Sequence, residues 1–338
     1  MRKLNQSTLC QLGLESARPT HVRVLQFGEG NFLRAFVDRM IDDANQRIGF
    51  DAGVRIVQPI PRGMAATLKE QDGLYTLILR GVAEGKTVRD VRIVRSVVDA
   101  MDPYTNFEAF LAAARDEELR FVVSNTTEAG IALNEGDRLE DAPPASFPAK
   151  VTRLLWERYR ALGGRAGTGL IFLPCELIDG NGRQLEACVR EMARRWTLGD
   201  GFMAYLEREN VFCSTLVDRI VTGYPREEAS ALCVELGYED ALIDTGEPFG
   251  LWVIEGPESV AEQFPLDKAG CPVVFTRDVT PYRTRKVRML NGAHTSMVLG
   301  AYLAGHEIVG DCMADDTMRS YMSQALFNEI MPTLDLPK

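Results

Sequence analysis

The sequence predicts an α/β protein whose sheet is built mostly from parallel strands, followed by a mostly α-helical C-terminal part. Three observations carry this: a strand-turn-helix-strand unit at residues 22–57, alternating strand and helix patterns as far as residue 173, and a helical character from about Pro281 onward. In the first unit Val22 to Phe27 (V-R-V-L-Q-F) is a short, mostly apolar, β-branched run that reads as a buried strand and ends in Gly28-Glu29-Gly30-Asn31. Phe32, Leu33, Phe36, Val37, Met40, Ile41, Ala44 and Ile48 then recur at spacings that lay an apolar stripe along a helix. A second strand, Val54-Arg55-Ile56-Val57, stops at Gln58-Pro59. Strand, helix and strand make the crossover unit from which parallel sheets are assembled.

Further strands are expected at Leu74 to Leu79, Val91 to Val98, Phe121 to Ser124 and Leu170 to Leu173, with helices near Asn106 to Arg115 and Ala149 to Leu162. Pro143-Pro144 and Gly163-Gly164 read as loops inside this domain, because the strand pattern resumes after each. Arg283 to Leu303 and Asp315 to Ile330 read as helices with hardly a strand signal between them. The expected division is therefore residues 1–277 and 278–338. No internal repeat or low-complexity segment is found.

Composition narrows the class. The 338 residues give a prior of about two domains, and 46% hydrophobic with 25% charged residues is the composition of a soluble globular protein. A net charge of -10 and a pI near 5.0 argue against a phosphate-backbone binder, so nucleic acid is not an expected partner. Seven cysteines without a C-x-x-C pair signal neither a disulfide framework nor a thiolate zinc site, which fits a reducing, cytoplasmic compartment. The N-terminus lacks the apolar core of a secretory signal, and no apolar run approaches the roughly 18 residues of a membrane span. His21, His294 and His306 form no H-x-x-x-H pair, so no metal site is expected.

Three constellations are candidates for chemistry. In the first, Phe27, Gly28, Gly30, Asn31, Phe32 and Arg34 surround a G-x-G turn between strand and helix. Glycines there permit close backbone approach to a pyrophosphate whose charge the helix N-terminus meets, as in a Rossmann-like, dinucleotide-binding domain. The third glycine of the usual fingerprint is replaced by Leu33, and an ordinary strand-to-helix turn carries the same G-x-G. Gln58 stands where an acid at the end of the second strand normally takes the ribose hydroxyls; it can bond to them, while Arg55 and Arg62 nearby leave room for a 2′-phosphate. In the second constellation Ser124, Asn125 and Thr126 suit a cofactor's ribose or nicotinamide, with Glu128 at the mouth. A helix-capping loop is the plain alternative.

The third constellation is Lys286, Asn291 and His294 on a predicted helix. At about 100° per residue, Asn291 falls about 140° and His294 about 80° from Lys286, so all three project from one side. A lysine acts as a base when burial and neighbouring positive charge lower its pKa, and Arg283, Arg285 and Arg288 are near in sequence. A solvated basic helix with one core histidine remains the alternative reading.

Together these segments resemble the mannitol dehydrogenase family of long-chain polyol dehydrogenases, from about Val22 to Lys338. The marks are the G-x-G-x-F-x-R-A turn (Gly28 to Ala35), T-x-E-x-G (Thr126, Glu128, Gly130), V-D-R-I (Val217 to Ile220) and K-x-x-x-x-N-x-x-H (Lys286, Asn291, His294). Longer stretches, among them Gln26 to Val37, Ser124 to Ile131, Pro174 to Asp179 and Phe212 to Pro225, are similar to the uronate-acting members. The resemblance implies metal-independent, reversible hydride transfer between NADH and a small keto-uronate. It implies Lys286 as general acid and base, Asn291 and His294 as donors to the reacting oxygen, Asp218 as orienter of the lysine or its water, and Glu128 at the site entrance. Polyol-oxidising members carry a further asparagine where this chain has Leu177, so that oxygen ligand is not carried over. An oxidoreductase for another uronate or for a polyol, and a catalytically silent nucleotide-binding or sugar-acid-binding protein, are the competing readings. The expected assembly is a monomer or weak homo-oligomer. Family members continue through a longer helical domain, so the chain reads as C-terminally truncated, with apolar faces of Met313 to Ile330 uncovered.

Overall fold

The computed structural model describes residues 1–14, 17–83, 85–127 and 129–335, and divides into two compact units, Met1–Thr276 and Arg277–Lys338. In chain order the strands described in the first unit are β1 (Val22–Phe27), β2 (Gly53–Val57), β3 (Tyr75–Ala83), β4 (Lys86–Val94), β5 (Val97–Met101), β6 (Phe121–Ser124), β7 (Ile171–Pro174), β8 (Val211–Phe212), β9 (Ser214–Asp218), β10 (Asp244–Gly246), β11 (Leu251–Glu255) and β12 (Val273–Thr276). Six of them form a central sheet in the order β5-β2-β1-β6-β7-β8, every neighbouring pair parallel. The strands β6 and β7 are buried along their whole length, as continuous apolar runs covered on both faces should be. Successive residues serve opposite faces: Val24 joins the core around Phe36, Ile41 and Trp252, whereas Leu25 and Phe27 join the core around Phe110, Leu154 and Tyr205.

Local signals explain the helices that cover these faces. The first runs from Asn31 to Ile48, with a π-helical stretch at Arg34–Asp38, buries Phe36, Val37, Met40, Ile41 and Ala44, and ends at Gly49, whose φ of 66° is the left-handed cap. Asn106 caps Phe107–Arg115 by accepting from Ala109 N, and Ser146 caps Phe147–Leu162 by accepting from Ala149 N.

Two parts of the strand reading need correction. The apolar run Val91 to Val98 is not one strand: β4 ends at Val94, β5 begins at Val97, and the two belong to different sheets. The break between them is held by Arg95 N donating to Asp42 Oδ1 at 2.9 Å and Ser96 Oγ donating to Asp38 O at 2.7 Å. The strand β3 accordingly pairs antiparallel with β4, and parallel with β10, outside the central sheet. A third sheet, β12-β11-β9, follows the central one in the chain. These later strands are two to five residues long, below the length at which alternation stands out in a sequence.

The second unit is helical: Thr280–Arg285, a π-helical Lys286–Asn291, Gly292–Leu303, Val309–Ala314, Asp316–Gln324 and a π-helical Ala325–Ile330. Ala293, Met297 and Ala301, four residues apart, form a stripe that packs with Cys312 and Met322. Leu299, Tyr302, Leu303, Met313, Tyr321 and Phe327 are exposed. Among the described residues no helix is long and apolar enough to cross a membrane.

Charged groups are buried in the first unit where the first helix meets β3 and β10. Asp38 accepts from Gln26 Nε2 at 3.2 Å, and Asp244 lies 3.8 Å from the Arg34 guanidinium. Burial pushes both carboxyls up to about 7 from an ordinary 3.8. The native state therefore holds protons that the unfolded chain releases. Stability from this source is complete below the unfolded value and is lost as pH rises through about 7. Denaturant midpoints should fall between pH 5 and 8, and Asp38→Asn should flatten that slope; a variant slope equal to the parent's would refute the assignment.

Candidate active site

The parallel register brings five chain reversals to one sheet edge. Phe27 pairs with both Val57 and Ser124, Val57 with Met101, and Ser124 with Pro174, so Gly28, Gln58, Asp102, Asn125 and Cys175 each begin the segment beyond a strand's carboxyl end. The strand order reverses between β1 and β6, and the crevice at such a switch point is where open α/β sheets bind ligands. A cavity of about 550 Å³ lies there, lined by Gly28, Gly30, Pro59, Asn125, Thr126 and Ser146 among others.

The glycine turn has the shape a dinucleotide requires. Gly28 has φ 124°, a value that favours glycine, and a Cβ there would lie 3.0 Å from Asn125 O, so the turn and the β6 loop approach backbone to backbone. At Gly30 a Cβ would meet nothing within 4 Å, leaving open space before the helix that starts at Asn31. Leu33, in place of a third glycine, is buried and helps fill the turn from behind. This cradle fits a pyrophosphate approached by backbone N–H groups.

The structure separates the predicted cofactor residues into two groups. Gly28, Gly30, Asn125 and Thr126 line the cavity. The others support it. Phe27 is buried in the core against Phe110 and Phe147, and Phe32 stacks on Phe36 with ring centres 5.0 Å apart. Arg34 is 1% exposed and donates to Glu29 O, Leu242 O and Asn31 Oδ1, so both Arg34 and Asn31 are engaged in holding the turn. Gln58 is buried, donating to Ile60 O at 3.0 Å and accepting from Ala65 N at 3.3 Å. Ser124 is buried and its hydroxyl donates to Glu176 Oε2. Glu128 lies outside the described residues.

Three supporting residues escaped the sequence reading. Glu176 is buried under the β6 loop and accepts from Ser124 Oγ, Thr126 N and Thr126 Oγ1 at 2.9–3.0 Å, while burial pushes its carboxyl up. Glu29 accepts from Met64 N at 2.8 Å and so ties the glycine turn to the loop after β2; burial pushes its carboxyl up as well. Lys150 is buried, donates to Ala145 O in the cavity wall at 2.6 Å, and is lowered to about 8 by burial. The available signal was position: Glu176 and Glu29 each sit two residues past a strand end. Thr127 adopts φ 82°, the left-handed region, in the same loop.

Asp218 ends β9, opposite Leu251 of β11. In the second unit Lys286 is half-buried, whereas Asn291 and His294 are exposed, so His294 is not a core histidine. The segment Lys286–Asn291 is π-helical rather than α-helical, which corrects the assumed 100° spacing. In an i→i+5 ladder the fifth residue on returns near the face of the first, so Asn291 lies closer to the face of Lys286 than the α-helical wheel predicts. Among the described residues no group of three or more His, Cys, Asp or Glu side chains is placed to hold a metal ion.

Comparison with known proteins identifies the lineage. The family model for the mannitol dehydrogenase Rossmann domain matches residues 22–268, and that for the mannitol dehydrogenase C-terminal domain matches residues 278–338. The chain belongs to the mannitol dehydrogenase family. Over 317 residues, 94% of this chain, it is 51% identical to altronate oxidoreductase of Klebsiella pneumoniae (strain 342), 50% to that of Yersinia enterocolitica and 49% to that of Escherichia coli O9:H4. It spans 66% of the length of these relatives. Among solved structures, substrate-free D-sorbitol dehydrogenase superposes with a TM-score of 0.81 at 26% identity, covering 99% of this chain and 71% of that one. The Pseudomonas fluorescens mannitol 2-dehydrogenase ternary complex with NAD and D-mannitol gives 0.76 at 24% identity, covering 99% and 70%, a likeness of fold.

The Glu176 network sets the β6 loop of this family member. Glu176→Leu strips a buried acceptor from three donors and should cost on the order of 3 kcal/mol of stability while speeding amide exchange at residues 125–127. Exchange as slow as in the parent would show that the loop is held by something else.

Proposed function

We propose that this chain catalyses the reversible, NAD-dependent reduction of D-tagaturonate to D-altronate, a sugar-acid oxidoreduction without a metal. The observation that carries the reading is the 49–51% identity to altronate oxidoreductases across 94% of the chain. The glycine turn at the switch point and the match to the family's Rossmann domain model support a nicotinamide dinucleotide as cofactor, held by Gly28, Gly30, Asn125 and Thr126. When bound, the dinucleotide supplies the hydride.

The chain's own residues would supply the proton and the charge stabilisation. Lys286 Nζ donates a proton to the carbonyl oxygen during reduction and recovers it during oxidation. Asn291 and His294 donate hydrogen bonds to that oxygen as alkoxide charge develops. The π-helical spacing favours joint action of Lys286 and Asn291 on one atom. The family resemblance further suggests an orienting role for Asp218 and a part in proton exchange with solvent for Glu128. A cytoplasmic setting and a small sugar-acid partner follow from the same reading.

Lys286→Ala should lower tagaturonate-dependent NADH oxidation by at least about 100-fold, while NADH binding followed by fluorescence stays within twofold of the parent. Undiminished turnover in that variant would remove Lys286 from the reaction. A parent enzyme that prefers fructuronate or fructose over tagaturonate would move the substrate to another branch of the family.

A further inference from the structure

A cavity of about 450 Å³ lies in the first unit where the helix Gln6–Leu12 meets the break between β4 and β5. Val97 opens β5 and pairs with Val54 near the start of β2, so Arg95 stands at the amino edge of the central sheet, opposite the edge that carries the glycine turn. No residue lining this cavity lines the glycine-turn cavity. Its wall joins the guanidiniums of Arg18 and Arg95 to Gln6 and Cys10 of the helix, with the buried Leu9 and Leu74 as its apolar part, and no carboxylate is among the lining residues.

Both arginines are held by carbonyls. Arg18 Nη2 donates to Val97 O, and Arg95 donates from Nη1 to Ile93 O at 2.8 Å and from Nη2 to Leu14 O at 3.0 Å. Neither forms an ion pair among the described residues. The carboxylates whose charge reaches Arg18 are Asp72 and Asp42. Asp72 accepts from Gln6 N at 3.0 Å, while Asp42 is buried and accepts from Arg95 N at 2.9 Å and Gln46 Nε2 at 2.6 Å, so both are engaged with uncharged donors. Glu15 and Ser16 lie outside the described residues. Burial pushes the Arg18 guanidinium below its ordinary value; Asp72 opposes the shift and the charge of Arg95 adds to it. Two like charges are thus held at one cavity by neutral partners, an arrangement that an anion relieves.

We propose that this cavity binds a phosphate group, with Arg18 and Arg95 as its two cations. A carboxylate's two oxygens are matched by a single guanidinium fork, whereas a phosphate has oxygens and charge enough for two. The volume beside Leu9 and Leu74 takes the body of a small phosphate ester. Cys10 reports on occupancy, because it is exposed and lines the cavity while the other six cysteines are buried. The intact chain is treated with N-ethylmaleimide, a neutral reagent, in chloride, inorganic phosphate or glycerol 3-phosphate at equal ionic strength and pH, and labelling of Cys10 is followed by mass spectrometry. Phosphate or glycerol 3-phosphate at about 10 mM should slow that labelling at least threefold relative to chloride. Each variant is compared with itself in chloride. Protection should vanish in Arg18→Gln, and also in Gln6→Glu, which sets a carboxylate in the wall at the first turn of the helix, where an acid suits the helix. Stronger protection by glycerol 3-phosphate assigns the site to an ester, and stronger protection by phosphate to the free ion. Labelling that neither anion slows, or protection that persists in either variant, overturns the site.

Discussion

Arg34 carries a positive charge into the interior of the first unit, 1% exposed, at the turn where β1 hands over to the first helix. Such a charge is tolerable only where its donors are satisfied and a counter-charge is near. Its donors go to Glu29 O, Asn31 Oδ1 and Leu242 O, the last 208 residues away in sequence; Asp244 stands 3.8 Å off, and the Tyr75 ring centre lies 5.0 Å from Cζ. The glycine turn is thus shaped by tertiary contacts as much as by its glycines. Substituting Arg34 would leave two carbonyls and a carboxylate unpartnered in the core, so damage to the turn and damage to the fold would come together.

The other loops at the sheet edge follow the same plan. A buried side chain stands behind two of them: Gln58 behind the loop after β2, and Glu176 behind the loop after β6. Glu29 joins two of these loops by accepting from Met64 N across the gap. Backbone is thereby left facing the cavity, and positional rigidity comes from hydrogen bonds on the side away from the ligand. The left-handed φ of 82° at Thr127 is sustained where Glu176 anchors the neighbouring residue.

Much of this was legible in the sequence, and the remainder was hidden for identifiable reasons. The strand at Val22 to Phe27, the stripe from Phe32 to Ile48 and the helix ending at Gly163 were readable because each has a period and a stop signal that local sterics enforce. The run Val91 to Val98 was misread as one strand because the break at Arg95-Ser96 is made by Asp42 and Asp38, partners some fifty residues away. The role of Arg34 was hidden in the same way: a motif arginine beside a phosphate-binding turn suggests a ligand contact, and only the position of Leu242 reveals a structural one. The π-helical turn at Lys286–Asn291 has no composition signature, so the helical wheel placed Asn291 too far from Lys286.

The proposed reaction would make two different demands on the chain. A pyrophosphate presents a fixed charge that backbone N–H groups and a helix N-terminus can meet, so the best element is a turn that cannot move. That explains why the motif's large side chains, Phe27, Phe32 and Arg34, all point away from the cavity and into packing. Proton transfer to a carbonyl demands the opposite: a side chain that reaches the reacting atom and changes its protonation state during the cycle. Lys286, Asn291 and His294 stand on a helix whose widened turn gathers them toward one face, and Asn291 and His294 remain exposed. Anion binding is thus built from backbone held by buried polar groups, and the proposed proton chemistry would fall to side chains left outside the core.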